Sequence, residues 1–187
     1  MQEMSDEQLM LAARTDQSAL EILVSRYVQT VYRFCYGYLH DRAEADDATQ
    51  EVFVKVWRNL GRFDTARLFK PWLFKVARNT CLDLLRKKRD LTFSDMESGS
   101  GEESFAENVA DVQPLPEVAA ENSLFAQKLG AVLDKLSPKY AQVVALRHEQ
   151  GLSFREIALV TRKPVNTVKS LHRRALDRLQ ASFGQKR

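Results

Sequence analysis

One stretch near the C-terminus decides the fold: residues 151–180 read GLSFREIALVTRKPVNTVKSLHRRALDRLQ. Ser153 and Glu156 form the pattern of a capping box, in which a serine and a glutamate three positions later satisfy the free N–H groups of a helix start. The helical spacing of apolar residues pauses at Thr161–Pro164 and resumes from Val165. We therefore predict a short helix, a tight turn and a second helix, which is the layout of a helix-turn-helix.

The second of these helices carries polar and basic side chains in its first turns. A recognition helix binds DNA in this way, because its N-terminal side chains meet base edges while nearby cations meet phosphates. Arg and Asn also carry the paired groups that distinguish guanine and adenine in the major groove. An ordinary amphipathic hairpin with a solvated basic face has the same pattern. The candidate residues for duplex DNA are Arg155, Asn166, Thr167, Lys169, Ser170, Arg173 and Arg174.

The composition of the whole chain is typical of a helical protein. Its 187 residues include only 7 Gly and 5 Pro, which leaves little room for the turns of a sheet protein. No apolar run approaches the ~20 residues of a membrane span, and the N-terminus is polar and acidic, so we predict a cytoplasmic protein. In that reducing compartment, Cys35 and Cys81 are expected to be buried small side chains and not a disulfide or a metal pair.

Charge divides the chain into three segments. Residues 1–91 read as several helices, whereas residues 91–121 contain acidic side chains but no Lys or Arg. From Arg147 onwards the charge is mainly basic, which favours a polyanionic partner. We predict an all-α protein with two small helical domains, residues 1–91 and 121–187, joined by a flexible acidic linker over residues 92–120.

Local signals predict several helix ends. The helix that starts in the acidic stretch after Asp41 is expected to run to about Leu60, with Gly61 as its stop signal. Pro71 suits the first turn of a further helix that ends in the basic run 86–89. Ser137, which precedes a proline, is expected to cap a helix in the third segment.

The helix that begins near Pro71 has one face of mixed chemistry. Lys75, Asn79 and Arg86 lie opposite its apolar stripe, and Trp72 lies at the edge. Such a face suits unstacked single-stranded bases, because rings stack, amides read base edges and cations hold phosphates. The alternative is that Trp72 belongs to the core and the other residues form a solvated face.

A second mixed face lies on the preceding helix. Asp46, Gln50, Phe53 and Trp57 follow one another at spacings of four, three and four. Aromatic anchors beside acids are a common design for binding another protein, since the acids select a basic partner. The alternative is that Phe53 and Trp57 are simply core residues.

These motifs together resemble the extracytoplasmic-function sigma factors of bacterial RNA polymerase. The stretches 151–158 and 166–170 resemble the promoter-reading helix-turn-helix of that family, and residues 136–147 resemble the element before it. The string Ala45–Phe53 is similar to the core-polymerase contact of the family. The segment Phe63–Arg86 is similar to the element that melts and reads the minus-ten region.

The resemblance implies a sigma factor without covalent chemistry or cofactor, which directs transcription initiation at specific promoters. It implies a grip on the beta-prime and beta subunits of core RNA polymerase through Asp46, Asp47, Gln50, Phe53 and Trp57. The helix-turn-helix is expected to read the minus-thirty-five element as duplex. The residues expected to bind the melted minus-ten strand are Phe63, Phe69, Lys70, Trp72, Lys75, Asn79 and Arg86.

Two details of the minus-ten surface also follow from the resemblance. In the family, the loop before this helix receives a base flipped out of the duplex, and Phe63–Lys70 is the matching loop here. Asn79 matches a position that reads this base in related proteins. The other implied partner is an anti-sigma factor, with a free chain that is monomeric and has no small-molecule substrate.

The sequence departs from the family pattern in the helix-turn-helix. Arg162 stands where the turn usually has a glycine, Leu171 where an arginine is frequent, His172 where an apolar residue is common and Leu176 where a basic one is. Because of these departures, the sequence does not determine which bases the helix reads.

Two other classes of protein share parts of this pattern. A conventional helix-turn-helix regulator with a helical sensor domain would have the same C-terminal motif. An enzyme would need grouped catalytic side chains, but no Gly-rich phosphate loop or metal-spaced cluster accompanies the candidate groups, which are Asp46, Asp47, Asp83, His40, His148 and His172.

Overall fold

The computed structural model describes residues 4–95 and 136–184. The first range holds α1 (Asp6–Ala12), α2 (Gln17–Leu39), α3 (Arg42–Arg58), a 3₁₀ turn (Leu60–Arg62) and α4 (Phe69–Asp95). The second holds α5 (Pro138–Val144) with a π-helical turn (Ala145–Glu149), then α6 (Phe154–Thr161) and α7 (Val165–Gly184). Within these two ranges there is no strand, so the all-α prediction is confirmed.

Side-chain caps define most of the helix starts. The Ser5 hydroxyl accepts from the Gln8 backbone N–H, and Asp16 and Asp41 cap α2 and α3 in the same manner. The predicted capping box at α6 is present, because Ser153 accepts from the Glu156 N–H while the Glu156 carboxylate accepts from the Ser153 N–H. Each such cap satisfies N–H groups that have no acceptor inside the helix.

Helices α2, α3 and α4 pack around an apolar core, and α1 contacts α2 and α4. Leu23, Val52, Leu73 and Phe74 are fully buried in it. Cys35 and Cys81 are buried and free of disulfides, as predicted from the sequence. The two thiols are neighbours, however, and a hydrogen bond with Cys35 together with burial raises the pKa of Cys81, which keeps that thiol protonated and inert.

Several helix ends differ from the prediction. Helix α3 ends at Arg58, and Gly61 lies within the 3₁₀ turn without the positive φ of a glycine stop. Helix α4 starts at Phe69, two residues before Pro71, because a missing N–H is tolerated throughout a first turn. It also continues to Asp95, beyond the predicted start of the linker at residue 92. The remainder of that linker lies outside the described residues.

Ser137 takes the cap position before α5, but not the capping role. Its side chain makes no cap hydrogen bond, and its hydroxyl is buried without a hydrogen-bond partner. The rigid φ of Pro138 at the first helical position is therefore the local feature that favours this helix start.

The two groups of helices pack against each other. Helix α6 lies on α4, and α5 contacts α2. One hydrophobic cluster joins the core of the first group to buried residues of the second, among them Leu146, Leu152 and Ile157. At the junction the Lys70 ammonium donates to the Gln150 carbonyl oxygen at 3.3 Å.

Candidate nucleic-acid and polymerase interfaces

Helices α6 and α7 form the predicted helix-turn-helix. Ile157 and Val168 are fully buried where the two helices meet. Ala175 and Leu179 of α7 pack with Tyr140 of α5 in a second apolar cluster. This packing turns the basic side of α7 outwards. The structure leaves exposed all seven residues predicted for duplex DNA, namely Arg155, Asn166, Thr167, Lys169, Ser170, Arg173 and Arg174.

The turn of this motif keeps its shape without a glycine. Arg162 has φ 53° and ψ 39°, a left-handed conformation, and its N–H donates to the Ala158 carbonyl oxygen. Such a conformation costs a non-glycine residue roughly 1–3 kcal/mol and persists where the surroundings fix it. The departure at Arg162 therefore leaves the geometry of the turn intact.

His172, a further departure from the family pattern, packs against another histidine. Its Nε2 lies 2.9 Å from Nε2 of His148, and the two ring planes are within 20° of each other, with centroids 5.2 Å apart. The Phe154 ring meets His172 edge-on, and the Arg147 guanidinium lies 4.9 Å from the Phe154 ring centre. One imidazole must donate and the other accept, so the pair cannot keep this contact when both rings are protonated.

The histidine pair should make stability depend on pH. Burial, followed by the charges of His148 and Arg147, lowers the pKa of His172 below its ordinary value of 6.5. The folded chain then binds this proton more weakly than the unfolded chain does. The contribution of this pKa difference to the free energy of unfolding is complete above the ordinary pKa of histidine. It is lost as the pH falls through the lowered pKa of His172. Urea unfolding between about pH 7 and pH 5 should therefore show a smaller loss of unfolding free energy in His172→Leu than in the native chain.

A histidine outside the pair provides the control. His40 sits in a left-handed conformation at the end of α2, which asparagine tolerates, so His40→Asn removes a histidine outside the pair without disturbing the helix end. Equal pH dependence in the native chain and His172→Leu would show that the pair does not couple protonation to folding.

The predicted minus-ten surface contains three aromatic rings in mutual contact. The Trp72 ring lies 5.0 Å from that of Phe63 and 5.9 Å from that of Phe69, centre to centre. Phe69 is fully buried and Phe63 is 5% exposed, so their prediction as DNA-facing side chains needs correction. Both belong to the core and support Trp72, which keeps a partly exposed edge.

The polar members of this surface are accessible to different degrees. Lys75 and Arg86 are exposed, while Lys70 and Asn79 are half-buried. Arg86 forms a surface ion pair with Asp83 at 3.4 Å, and Lys70 lies near the junction with the second group of helices. In this conformation, the segment before α6 therefore contacts α4 next to Lys70.

Two side chains that contact this loop were not predicted from the sequence. The Arg14 guanidinium donates to the carbonyl oxygens of Leu60 and Phe63, and a Glu7 carboxylate oxygen accepts from the Phe69 N–H. These partners are 46 to 62 residues apart along the chain, so no local pattern pointed to them.

The predicted polymerase face lies along α3. Asp46, Asp47, Gln50 and Trp57 are exposed, and the Gln50 amide donates to the Asp46 carboxylate at 3.3 Å. Phe53 is half-buried and packs against the core, so it belongs only in part to this face. The Trp57 side chain is 61% exposed. It borders an open groove of about 480 Å³ whose other wall is the segment between α1 and α2.

The described part of the chain offers no candidate metal centre. Among residues 4–95 and 136–184, no three His, Cys, Asp or Glu side chains are grouped to hold an ion. None of the helices in those ranges combines the length and apolarity that a membrane span requires.

An exposed basic helix-turn-helix, set beside a second helical module with its own polar faces, is typical of a DNA-binding protein. Two family models match the chain: Sigma-70 region 2 over residues 23–90 and Sigma-70 region 4 over residues 126–179. The ECF RNA polymerase sigma factor SigW of Bacillus subtilis is 32% identical over 176 residues, covering 92% of this chain and 94% of that protein. The chain belongs to the extracytoplasmic-function sigma factors, which are non-enzymatic factors of transcription initiation.

Solved structures of sigma factors share the fold. The structure of RpoE with the anti-sigma factor NepR from Bartonella quintana has a TM-score of 0.68 at 24% identity, covering 89% of this chain and 98% of RpoE. The structure of CnrH with the cytosolic domain of CnrY has a TM-score of 0.65 at 24% identity, covering 97% and 99% of the two chains. At this identity the likeness concerns the fold of two helical domains.

Proposed function

We propose that this sigma factor docks on core RNA polymerase through α3, reads the minus-thirty-five element as duplex through α7, and captures the minus-ten element as a melted strand through α4. The observation that carries the proposal is the exposure of three separate polar faces on helices whose opposite sides are buried. The division into residues 1–91, a linker over 92–120 and residues 121–187 is part of the same proposal.

The duplex-reading role is supported by the accessibility of the basic face of α7. Its first turns present Asn166, Lys169 and Arg173 together, with Val168 buried between them. An arginine fork and an amide recognise purine edges in pairs, and a lysine holds the neighbouring phosphate. Since Leu171 is half-buried against both clusters, the departure at this position removes a cation without opening the packing.

The single-strand role is supported by the Trp72 environment. Stacking of a base on an aromatic ring contributes roughly 1–3 kcal/mol, and Trp72 has an accessible edge held by two buried rings. Asn79 lies two turns further along the same helix, with exposed Lys75 between them. A surface that binds unpaired bases better than duplex shifts the equilibrium towards the open promoter.

The polymerase-binding role is supported by the acidic and aromatic composition of the α3 face. Asp46 and Asp47 are exposed at one end and Trp57 at the other. We propose that the acids steer a basic partner surface while Trp57 anchors it, with the beta-prime subunit as the principal partner and the beta subunit as a further one.

An anti-sigma factor is the second partner that we propose. Of the two solved sigma factors that share the fold, RpoE is in complex with the anti-sigma factor NepR, and CnrH is in complex with the cytosolic domain of CnrY. The exposed aromatic and basic faces of this chain would bind nonspecifically if left uncovered, which favours such a partner. The free chain is proposed to be a monomer without a small-molecule substrate.

Transcription in vitro tests the proposal directly. Purified chain and core polymerase are incubated with a genomic library, and RNA start sites are mapped with and without the chain. We expect defined start sites that depend on the chain, with shared sequence elements upstream. If the chain binds DNA alone as a dimer and does not co-elute with core polymerase on gel filtration, it is instead a conventional regulator.

A further inference from the structure

Helix α1 and the residues just after it hold both ends of the segment that joins the 3₁₀ turn to α4. At the first end, Arg14 Nε donates to the Leu60 carbonyl oxygen at 3.0 Å, and Arg14 Nη2 donates to the Phe63 carbonyl oxygen at 2.9 Å. At the other end, Glu7 Oε1 accepts from the Phe69 N–H at 2.9 Å. The loop between Phe63 and Phe69 is therefore fixed from outside by two charged side chains.

Each of these contacts uses a property that the charged group supplies. The guanidinium is planar and rigid, so one side chain engages two carbonyl oxygens at once, which the single ammonium of a lysine does less well. The Glu7 carboxylate binds the first N–H of α4, where the helix dipole is positive and the N–H has no acceptor inside the helix. Hydrogen bonds to charged groups are roughly twice as strong as neutral ones.

Helix α1 is itself firmly attached to the rest of the first group. Asp6 forms an ion pair with Arg26 at 2.9 Å and accepts a hydrogen bond from the Tyr27 hydroxyl. Leu9 and Met10 of α1 are fully buried. Because its own position is set by these contacts, α1 can transmit a fixed geometry to the loop.

The held loop supports the aromatic cluster. Phe63 lies at one end of the loop and Phe69 at the other, and both rings contact Trp72. A shift of either end would move a ring against which Trp72 packs. The geometry of the surface offered to an unpaired base thus depends on the two ends of the loop.

We propose that Arg14 and Glu7 are positioning residues that hold the loop Phe63–Phe69 in the geometry needed to discriminate among bases of the minus-ten strand. Both residues precede residue 23, where the match to Sigma-70 region 2 begins. The inference rests on the proposed single-strand role of α4. Neither residue needs to touch DNA for it to hold.

Base discrimination by the holoenzyme tests the inference. Core polymerase loaded with each variant is titrated with labelled single-stranded oligonucleotides taken from a promoter mapped with the native chain. The oligonucleotides carry each of the four bases in turn at every minus-ten position. The readout is the ratio of affinities for the preferred base and the others, which a uniform loss of folded protein does not change.

Four variants and a control separate the contacts. Arg14→Ala removes both loop contacts at the first end, and Arg14→Lys keeps the charge without the fork. Glu7→Ala removes the acceptor for the Phe69 N–H, whereas Glu7→Gln retains an oxygen at the same place. Arg33→Ala, at an exposed arginine of α2, is the matched control.

We expect Arg14→Ala and Glu7→Ala to lower the discrimination ratio at one minus-ten position by roughly tenfold, with Arg14→Lys between them and the native chain. Glu7→Gln, which keeps an oxygen but loses the charge, should lie between Glu7→Ala and the native chain, and Arg33→Ala should retain the native ratio. Binding of minus-thirty-five duplex should stay within about twofold of native in all four variants. Core-polymerase affinity should do so in the Glu7 variants, because Arg14, unlike Glu7, lines the groove beside Trp57. A native ratio in Arg14→Ala, while the native holoenzyme discriminates, overturns the inference alone. A native holoenzyme that does not discriminate at all overturns the proposed single-strand role as well.

Fluorescence of the free chain checks the same geometry without DNA. The chain has 2 tryptophans, so Trp57→Phe leaves Trp72 as the single reporter. In that background, Arg14→Ala should shift Trp72 emission to longer wavelength, because a displaced loop exposes the ring to water. Arg33→Ala should leave the spectrum unchanged. An unshifted spectrum in Arg14→Ala would show that the loop keeps its place without the guanidinium, which contradicts the inference.

Discussion

Trp57→Ala is expected to weaken the binding of this sigma factor to core RNA polymerase by roughly 30-fold to 1,000-fold, the range that corresponds to an aromatic anchor contributing about 2–4 kcal/mol. The side chain is 61% exposed, although a ring of this size is usually mostly buried. It borders the groove formed with the α1–α2 segment, a shape suited to receive a partner side chain. Because the ring is largely exposed, its removal should leave unfolding free energy within about 0.5 kcal/mol of native.

Binding is measured by titrating labelled chain with core polymerase, and circular dichroism verifies the helical content of the variant. Leu159→Ala is the matched control, because this leucine of α6 is 66% exposed and lies away from α3. The double variant Asp46→Asn, Asp47→Asn should mainly slow association and reduce its salt dependence, since exposed charges steer encounter more than they hold a complex. If Trp57→Ala binds as tightly as Leu159→Ala, α3 is not the docking face.

The second large effect is expected on duplex DNA. Replacing Lys169 and Arg173 with alanine together should reduce the slope of log affinity against log salt by about 0.9, the contribution of one lysine–phosphate contact. Because the arginine contact to a base edge is lost as well, minus-thirty-five binding should weaken roughly 30-fold at physiological salt. Both side chains are exposed on the first turns of α7, so they are free to release counterions from phosphates or to meet base edges.

Anisotropy of labelled duplex at several salt concentrations measures this effect. Neutralising the same number of exposed charges in the first group of helices, with Arg33→Ala and Arg58→Ala, is the control and should preserve the slope. Arg173→Ala alone should also relax the preference for one base pair, which Lys169→Ala should not if it meets only phosphate. An unchanged slope in the double variant would place the DNA-binding surface elsewhere.

The parts of this molecule that sequence alone predicted depend on short-range patterns. The capping box at Ser153 and Glu156 needs only two side chains three residues apart, and the structure contains it. The accessible acids of α3 and the cations of α7 followed from helical periodicity, since burial of one side determines exposure of the other. Such signals do not require knowledge of how helices are arranged.

The features that the sequence did not predict arise from packing between distant segments. The sequence positions of Phe63 and Phe69 suit either an exposed or a buried phenylalanine. Phe63 is buried against Phe69, and Phe69 also contacts Tyr27, which lies far away in the sequence. Gly61 was predicted to end α3. Instead it lies in a 3₁₀ turn, in which Arg14 donates a hydrogen bond to the carbonyl oxygen of the adjacent Leu60. His148 and His172 came together through the folding of α7 onto the π-helical turn.

In the proposed mechanism with two promoter readers, the junction between α4 and α6 imposes a thermodynamic cost on promoter spacing. DNA that holds the two readers farther apart than they lie here must separate that junction, and each 100 Å² of apolar surface so exposed costs about 2.5 kcal/mol. A cost of this size lowers apparent affinity by roughly 70-fold. The free chain then binds two distant sites less tightly than the affinities of the separate sites imply. A partner surface that covers the apolar area exposed at the opened junction restores this affinity.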